Sequence, residues 1–241
     1  VSVAGSISDD SKKTSALNFI ASELAKAGRF DDALNVAGSI SDDSEKALTL
    51  DVIASELAEA GQFNKALTVA GSISDDSKKA WALDVIASEL AEAGQFNKAL
   101  TVAGSISFDS DKAEALSKIA SELAKAGQTQ KALLIFDKAL TVAGSIYDDD
   151  EKARALNFIA SELAKAGRFD DALNVAGSIS DDSKKTSALR DIASELAKVG
   201  QFSKALTVAG SISDDFYKAW ALSDIASELA KAGQTQKALQ I

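Results

Sequence analysis

Carboxylates are the side chains of this 241-residue chain best suited to chemistry, because the sequence contains no histidine and no cysteine. Histidine is the commonest general base, cysteine supplies thiol nucleophiles, and both are common zinc ligands. The chain therefore lacks the usual residues for all three roles. Aspartates recur in adjacent pairs, which could hold Ca²⁺ or form a row of acids. The pairs are Asp9/Asp10, Asp42/Asp43, Asp75/Asp76, Asp181/Asp182 and Asp214/Asp215, and a longer run spans Asp148 to Asp150.

Helix capping explains these aspartate pairs better than calcium binding does. Every pair stands just before a segment with helical periodicity, and none has the spacing or the glycine of a calcium loop. Aspartate is a favoured N-cap residue, and negative charge is stabilising at a helix N-terminus. We therefore predict no metal site, no cofactor and no catalytic residue, and we do not expect an enzyme.

A recurring serine is the other candidate for chemistry, as a nucleophile. A serine nucleophile needs an adjacent base, and the chain offers no histidine for that role. We interpret these serines as small polar spacers. They are Ser22, Ser55, Ser88, Ser121, Ser161, Ser194 and Ser227.

The elements that carry these residues repeat along the whole chain. The string VAGSI begins at Val3, Val36, Val69, Val102, Val142, Val175 and Val208. The spacing between copies is 33 residues, except for one spacing of 40 that contains the extra segment LIFDKAL, residues 134–140. Such regular self-similarity predicts a tandem array instead of ordinary globular domains.

Each repeat contains two stretches of helical periodicity, a first helix that ends at a glycine such as Gly28 and a shorter second helix. Two helices of this size cannot bury their apolar faces alone, so stacked neighbours must supply the core. A glycine inside the second helix, such as Gly38, predicts a close approach of the next helix. The apolar positions of the first repeat are Leu17, Ile20, Ala21, Leu24 and Ala27, followed by Phe30, Ala33, Leu34, Ala37 and Ile40.

The repeat resembles the tetratricopeptide repeat family in the string ALNFIASELAKAGRFDDALNVAGSI, residues 16–40. The resemblance covers the chain seven times, although the period is 33 where the family has 34, and proline is absent. It implies an all-α fold, a right-handed α-solenoid of stacked two-helix repeats. Leu17, Ile20, Ala21 and Leu24 stand where the family has its first-helix core, Gly28 and Phe30 match its turn, and Ala33 matches its second-helix alanine.

The long repeat fits the same family pattern, because Ala132, Phe136, Ala139 and Leu140 match its fuller second helix. The extra seven residues are nearly two turns, so they are predicted to extend a helix near residues 128–146 on an unchanged face. We predict a single array of about seven repeats over residues 1–241. The string ELAKAGQTQKAL precedes the long helix and recurs at the C-terminus, which predicts a fragment of a longer array.

Three positions of the first helix vary while their neighbours hardly change. At 100° per residue they cluster opposite the apolar stripe, so all three are expected on an exposed face. The first variable column is Ser15, Leu48, Trp81, Glu114, Arg154, Ser187 and Trp220. The second is Asn18, Asp51, Asp84, Ser117, Asn157, Arg190 and Ser223, and the third is Phe19, Val52, Val85, Lys118, Phe158, Asp191 and Asp224.

We interpret this face as the ligand-binding site of an interaction scaffold. In the tetratricopeptide family it lines a concave surface that holds extended peptides, which implies a peptide or protein segment as the partner. Tryptophan and arginine are enriched at binding hot spots. The predicted ligand-binding residues are Leu48, Trp81, Glu114, Arg154, Trp220, Asp51, Asp84, Asn157 and Arg190.

Two alternatives remain open from the sequence. Exposed positions drift freely, so a structural or engineered array without a ligand would also vary here, although drift does not easily explain two tryptophans in one column. The string KAGRFDDALNV, residues 26–36, also resembles the pentatricopeptide family, which implies RNA binding through first-helix residues. The period of 33 and the net charge of −10 argue against that second alternative.

Charge and hydropathy limit the remaining partner classes. A net charge of −10 disfavours nucleic acid and anionic membrane surfaces, and no apolar run approaches the about 18 residues of a spanning helix. We expect a soluble, cytoplasmic protein, and position 1 is not expected to be the natural start, so a targeting segment could precede it. Apolar residues near the two ends predict head-to-tail self-association: Val3, Ile7, Leu229, Leu239 and Ile241.

Overall fold

Fourteen helices make up the structure, a computed structural model that describes residues 7–241, and no strand occurs in this range. The helices follow one another as pairs of a first and a second helix. The first helices are α1 (Asp10–Lys26), α3 (Asp43–Glu59), α5 (Asp76–Glu92), α7 (Asp109–Lys125), α9 (Asp149–Lys165), α11 (Asp182–Lys198) and α13 (Asp215–Lys231). The second helices are α2 (Phe30–Ala37), α4 (Phe63–Gly71), α6 (Phe96–Gly104), α8 (Thr129–Ser145), α10 (Phe169–Ser178), α12 (Phe202–Gly210) and α14 (Thr235–Ala238).

An aspartate caps the N-terminus of most first helices. Asp9 has an extended backbone, and its carboxylate accepts a hydrogen bond from the backbone N–H of Lys12 at 3.0 Å. This contact satisfies one of the N–H groups that an isolated helix leaves unpaired. The capping interpretation of the aspartate pairs is therefore confirmed. The same contact is made by Asp42, Asp75, Asp148, Asp181 and Asp214.

A left-handed glycine ends each first helix. Gly28 has a φ of 73°, its N–H donates to the carbonyl of Ala25 at 2.8 Å, and the N–H of Arg29 donates to the carbonyl of Leu24 at 2.8 Å. These two bonds form a Schellman motif, which satisfies the last carbonyls of the helix. The predicted helix stop is confirmed here and at the equivalent glycines, Gly61, Gly94, Gly127, Gly167, Gly200 and Gly233.

The second glycine of each repeat does not allow the predicted close approach of helices. A Cβ added at Gly71 or Gly177 would meet no atom of another helix within 4 Å, and one at Gly38 would meet only backbone oxygens of α2. The prediction was wrong because these glycines lie exposed at or near the C-terminal ends of the second helices. The buried contacts of α2 are made by residues such as Ala33 and Ala37. Gly5, in the same position of the sequence, lies outside the described residues.

The extra segment lengthens one second helix. The helix α8 has 17 residues, whereas α2, α4, α6, α10 and α12 have 8 to 10 residues. Residues 134–140 are helical throughout. Phe136 and Ala139 are buried while Leu134 is exposed, so the added turns keep one buried face.

The chain divides into two compact units, with the boundary inside α7 after Ala115. In the first unit, α1 packs against α2 and α3, and α3 packs against α4 and α5. In the second unit, α9 packs against α8, α10 and α11, and α11 packs against α12 and α13. Within both units a first helix thus contacts its own second helix and the next first helix. This packing confirms the predicted α-solenoid architecture of helix pairs, whereas a single array over residues 1–241 stays a prediction.

The first repeat shows how the apolar stripe is used. Leu17 and Ala21 of α1 form a buried cluster with Val36 and Ile40, and two further apolar residues of α1 are partly buried against it. Ala27 is exposed, contrary to the prediction, because it lies at the C-cap where α1 has already ended.

Candidate functional site

The first variable column lies largely exposed on the first helices. Trp81 on α5 has 60% of its surface exposed, and Trp220 on α13 has 48%. Leu48 and Arg154 are exposed as well, while Glu114 is half-buried. Burying a large aromatic surface is strongly favourable, so each exposed indole offers apolar surface that a partner could cover. The binding role of this column stays a prediction.

Most of the second variable column does not lie on the exposed face, and its predicted exposure was wrong for Asp51, Asp84 and Ser117, which are buried. Asp51 on α3 is only 8% exposed and Asp84 on α5 only 7%, while Asn157 and Arg190 are half-buried. The column is three residues from the first column, which places it about 60° around the helix. That flank packs against the next first helix. Asp51 and Asp84 are therefore buried where one first helix packs against the next, a contact that we call a helix joint. They are not placed to meet a ligand.

Asn18 shows what such a joint looks like when its polar groups are satisfied. The Asn18 side-chain amide on α1 donates to the carboxylate of Glu45 on α3 at 2.7 Å. Thr49 of α3 donates through its hydroxyl to the Asn18 side-chain oxygen and to the Glu45 carbonyl. This network joins the first helices of two successive repeats.

Asp51 takes the place of Asn18 in the next joint, between α3 and α5, but it is poorly satisfied. Its Oδ1 atom is buried without a hydrogen-bond partner. Burial raises the pKa of this carboxyl to about 6, and the nearby positive charge of Lys78 on α5 opposes the rise only in part. The carboxylate is thus destabilised in the folded protein, because desolvation penalises its charged form.

Recurring serines contribute to the joints of the second unit. The hydroxyl of Ser161 on α9 donates to Asp191 on α11 at 2.7 Å, and that of Ser194 on α11 donates to Asp224 on α13 at 2.5 Å. Each bond links a first helix to the next one. These serines therefore tie neighbouring repeats together, which gives the predicted spacers a structural role.

Arg190 on α11 belongs to the second variable column and contacts residues of the other two. Its guanidinium donates to the Asp191 carboxylate and lies 4.5 Å from the ring centroid of Trp220 on α13. A cation over an indole face is attracted by the ring quadrupole. The indole is thus supported on one face while almost half of its surface stays exposed.

Two further aromatic residues, Phe216 and Tyr217, lie on the same helix as Trp220 and were not predicted from the sequence. Phe216 lies 6.0 Å from Trp220 and 5.7 Å from Tyr217, measured between ring centroids, with both ring pairs close to perpendicular. Edge-to-face packing of this kind is favourable beyond simple burial. Phe216 is nevertheless 69% exposed. The sequence does contain a signal for these two aromatic residues, because the equivalent positions of the preceding repeat hold the polar residues Ser183 and Lys184.

Open clefts lie between the N-terminal ends of successive first helices. The cleft between α11 and α13 has a volume of about 300 Å³. Its lining residues are Asp182, Ser183, Thr186, Ser213, Asp214 and Tyr217. The cleft between α1 and α3 has a volume of about 630 Å³ and is lined only by carboxylates and hydroxyl groups, from Asp10, Ser11, Thr14, Ser15, Ser41, Asp42, Ser44 and Glu45.

Glutamates lie near the C-terminal ends of the first helices in the first unit. Burial raises the pKa of Glu56 and Glu89, and repulsion from Glu59 acts on both carboxyls in the same direction. Lys26 lies near Glu23 and Glu56 in this group. Within residues 7–241, no cluster of acidic side chains has the arrangement of a metal site.

The residues predicted for end-to-end contact are only partly available. Leu229 is buried, so its prediction as an uncovered apolar residue was wrong. Leu239 and Ile241 are exposed and Ile7 is half-buried, while Val3 lies outside the described residues. Among the helices described, none combines the length and the apolar character needed to cross a bilayer.

Comparison with known proteins gives little to add to this geometry. No family model and no curated protein matches the chain. A solved structure that aligns with it is Ton1535 from Thermococcus onnurineus NA1, with 21% identity over 92% of this chain and 93% of that one. The TM-score of that alignment is 0.28, which is too low to support an argument about fold or function.

Proposed function

We propose that this protein is an interaction scaffold of tetratricopeptide-like type that binds a peptide or protein segment on the exposed face of its first helices. The observation that carries the proposal is the exposure of Trp81 and Trp220, at equivalent positions of two repeats. Other repeats place serine at this position, at Ser15 and Ser187, so the fold does not require an indole there. Tryptophan is one of the residue types enriched at binding hot spots.

The architecture supports a binding role for this face in a second way. Successive first helices pack side by side within each unit, so side chains of the first variable column recur at regular intervals. A regular row of side chains on a rigid surface suits an extended segment, which can place successive groups against successive repeats. The prediction of ligand contact no longer includes the buried Asp51 and Asp84.

A selection experiment tests the proposal. The purified chain is used as bait for a display library of random peptides, and enriched sequences are synthesised and their Kd values measured. Trp81→Ser and Trp220→Ser remove each indole while introducing the residue that other repeats carry. We expect at least one of them to weaken an enriched peptide about 30-fold, which corresponds to a hot-spot loss of about 2 kcal/mol.

The control is Leu134→Ser, which removes an exposed apolar residue of the second helix α8 and should leave the Kd unchanged. Filter binding with single-stranded RNA forms a separate arm that addresses the alternative of RNA recognition. Absence of any enriched peptide, or enriched peptides that ignore both tryptophans, would contradict the proposal.

A further inference from the structure

The second unit carries an aromatic cluster whose partner can be inferred from its charged surroundings. Phe216, Tyr217 and Trp220 lie within one and a half turns of α13, where the preceding repeat has Ser183, Lys184 and Ser187. Three polar residues are thus replaced by three aromatic ones in an otherwise similar helix. Phe216 and Trp220 remain exposed, so the replacement does not serve the core.

The cleft beside this cluster is acidic. Asp182 and Asp214 line it together with Tyr217, and no lysine or arginine is among its lining residues. Asp214 uses one carboxylate oxygen to accept the backbone N–H of Tyr217 at 3.0 Å, which leaves its second oxygen available. A volume of about 300 Å³ is at the lower end of ligand pockets, so it suits a single side chain.

Arg190 shows the kind of group that these rings accept. Its guanidinium already lies over Trp220 at 4.5 Å, supported by the Asp191 carboxylate. The combination of an aromatic face and a carboxylate therefore holds an arginine within the protein itself. On the exposed side, Tyr217 lines the cleft together with Asp182 and Asp214, and the ring of Phe216 packs against Tyr217.

We propose that the aromatic cluster Phe216, Tyr217 and Trp220, with the cleft of Asp182 and Asp214, binds a basic peptide segment through an arginine side chain. This inference rests on the proposed scaffold function and adds the chemistry of the partner. Charge complementarity argues for this occupant, because an acidic segment would be repelled by both carboxylates. The guanidinium enters the cleft, and an apolar neighbour of the arginine packs on Phe216 and Trp220.

The test uses the full chain and a fluorescein-labelled peptide, Gly-Ser-Arg-Leu-Arg-Ser-Gly, with fluorescence anisotropy as the readout. Two comparison peptides carry glutamine or glutamate in place of both arginines. We expect the arginine peptide to bind at least tenfold more tightly than either. Raising NaCl from about 50 to about 500 mM should weaken this binding, because salt screens exposed charges.

Variants of the aromatic cluster and of the cleft test where the arginine peptide binds. The triple variant Phe216→Ser, Tyr217→Lys and Trp220→Ser restores the residues of the preceding repeat, and we expect it to lose binding. The pair Asp182→Asn and Asp214→Ser removes both charges while serine preserves the N-cap, and we expect at least a tenfold loss. The matched control is Asp10→Asn with Asp42→Ser, which removes the same charges from the cleft between α1 and α3, where no aromatic residue lines the site. That control should bind normally.

The outcomes separate this inference from the proposed function. Equal binding of the arginine and glutamate peptides, or equal losses in the cluster variants and the control pair, would overturn the arginine site. Library peptides that depend on Trp81 or Trp220 would then still support the scaffold. If neither the arginine peptide nor any library peptide binds, both proposals fail.

Discussion

The guanidinium of Arg190 lies 4.5 Å from the ring centroid of Trp220, across the joint between α11 and α13. The two residues come from successive repeats and from different variable columns. Arg190 is half-buried at the joint, whereas Trp220 is exposed. In this joint, an arginine of one repeat is thus paired with a tryptophan of the next.

This pair should show a measurable coupling free energy. Arg190→Ser and Trp220→Ser are both compatible with the repeat, because Ser223 and Ser187 occupy the equivalent positions elsewhere. In a double-mutant cycle measured by urea denaturation with circular dichroism, we expect a coupling of about 0.5–1 kcal/mol. Arg190→Lys should lose part of it, since lysine keeps the charge but lacks the planar guanidinium. Additive single effects would contradict a stabilising contact.

Asp51 should make the first unit less stable as the pH rises. Its pKa is raised to about 6 by burial, from an ordinary value of 3.8, so the folded protein holds the proton more tightly than the unfolded chain. The stabilisation is complete below about pH 4 and is lost as the pH rises through about 6. At neutral pH the buried carboxylate therefore lowers the free energy of unfolding by about 3 kcal/mol.

The variant Asp51→Asn should remove this pH dependence and stabilise the protein above pH 6. Urea denaturation at several pH values, followed by Trp81 fluorescence in a Trp220→Phe background, reports on the unit that contains Asp51. Asp137→Asn, at an exposed aspartate on α8, is the control and should retain the wild-type profile. Glu56 and Glu89 also have raised pKa values, so a smaller dependence of the same sign should remain after Asp51→Asn. An unchanged profile in Asp51→Asn would refute the assignment.

Gly177 should be replaceable by alanine with a gain in stability. It lies within α10, and an added Cβ would meet no atom within 4 Å apart from the nearby backbone of its own helix. Alanine at such a helical position reduces the conformational entropy of the unfolded chain, so Gly177→Ala should stabilise by about 0.4–1 kcal/mol. Gly167→Ala is the opposite control, because Gly167 has a φ of 74° and alanine there should cost about 1–2 kcal/mol. Thermal and urea unfolding should show a higher free energy of unfolding for Gly177→Ala and a lower one for Gly167→Ala.

The fold could be predicted from the sequence because its signals are local. An aspartate before each first helix and a glycine after it, such as Asp9 and Gly28, mark the helix ends through hydrogen bonds to nearby backbone atoms. The amphipathic pattern of residues 134–140 likewise allowed the long helix to be expected. These contacts depend on residues a few positions apart, so periodicity and end signals suffice.

The candidate site was harder to predict because helix joints involve residues about 30 positions apart. Asp51 was predicted to be exposed, because the pattern of a single helix does not show the packing of α5 against α3 that buries it. The same limit applies to Ser161, whose partner Asp191 belongs to the next repeat. Phe216 and Tyr217 were not predicted for another reason, because they lie at the N-terminal end of α13, outside the three variable columns.

The added turns of α8 should contribute to stability chiefly through Phe136, the larger of their two buried side chains. Phe136 is 2% exposed, whereas Leu134 in the same inserted segment is 67% exposed. Truncating a buried phenylalanine removes apolar surface and leaves a cavity, so Phe136→Ala should destabilise the protein by about 3–5 kcal/mol. Leu134→Ala should change stability by less than about 0.5 kcal/mol, because little of that side chain is buried. Urea denaturation followed by circular dichroism compares the two variants. Equal effects of the two substitutions would contradict this prediction. They would mean that the buried face of the inserted segment does not add to the packed core.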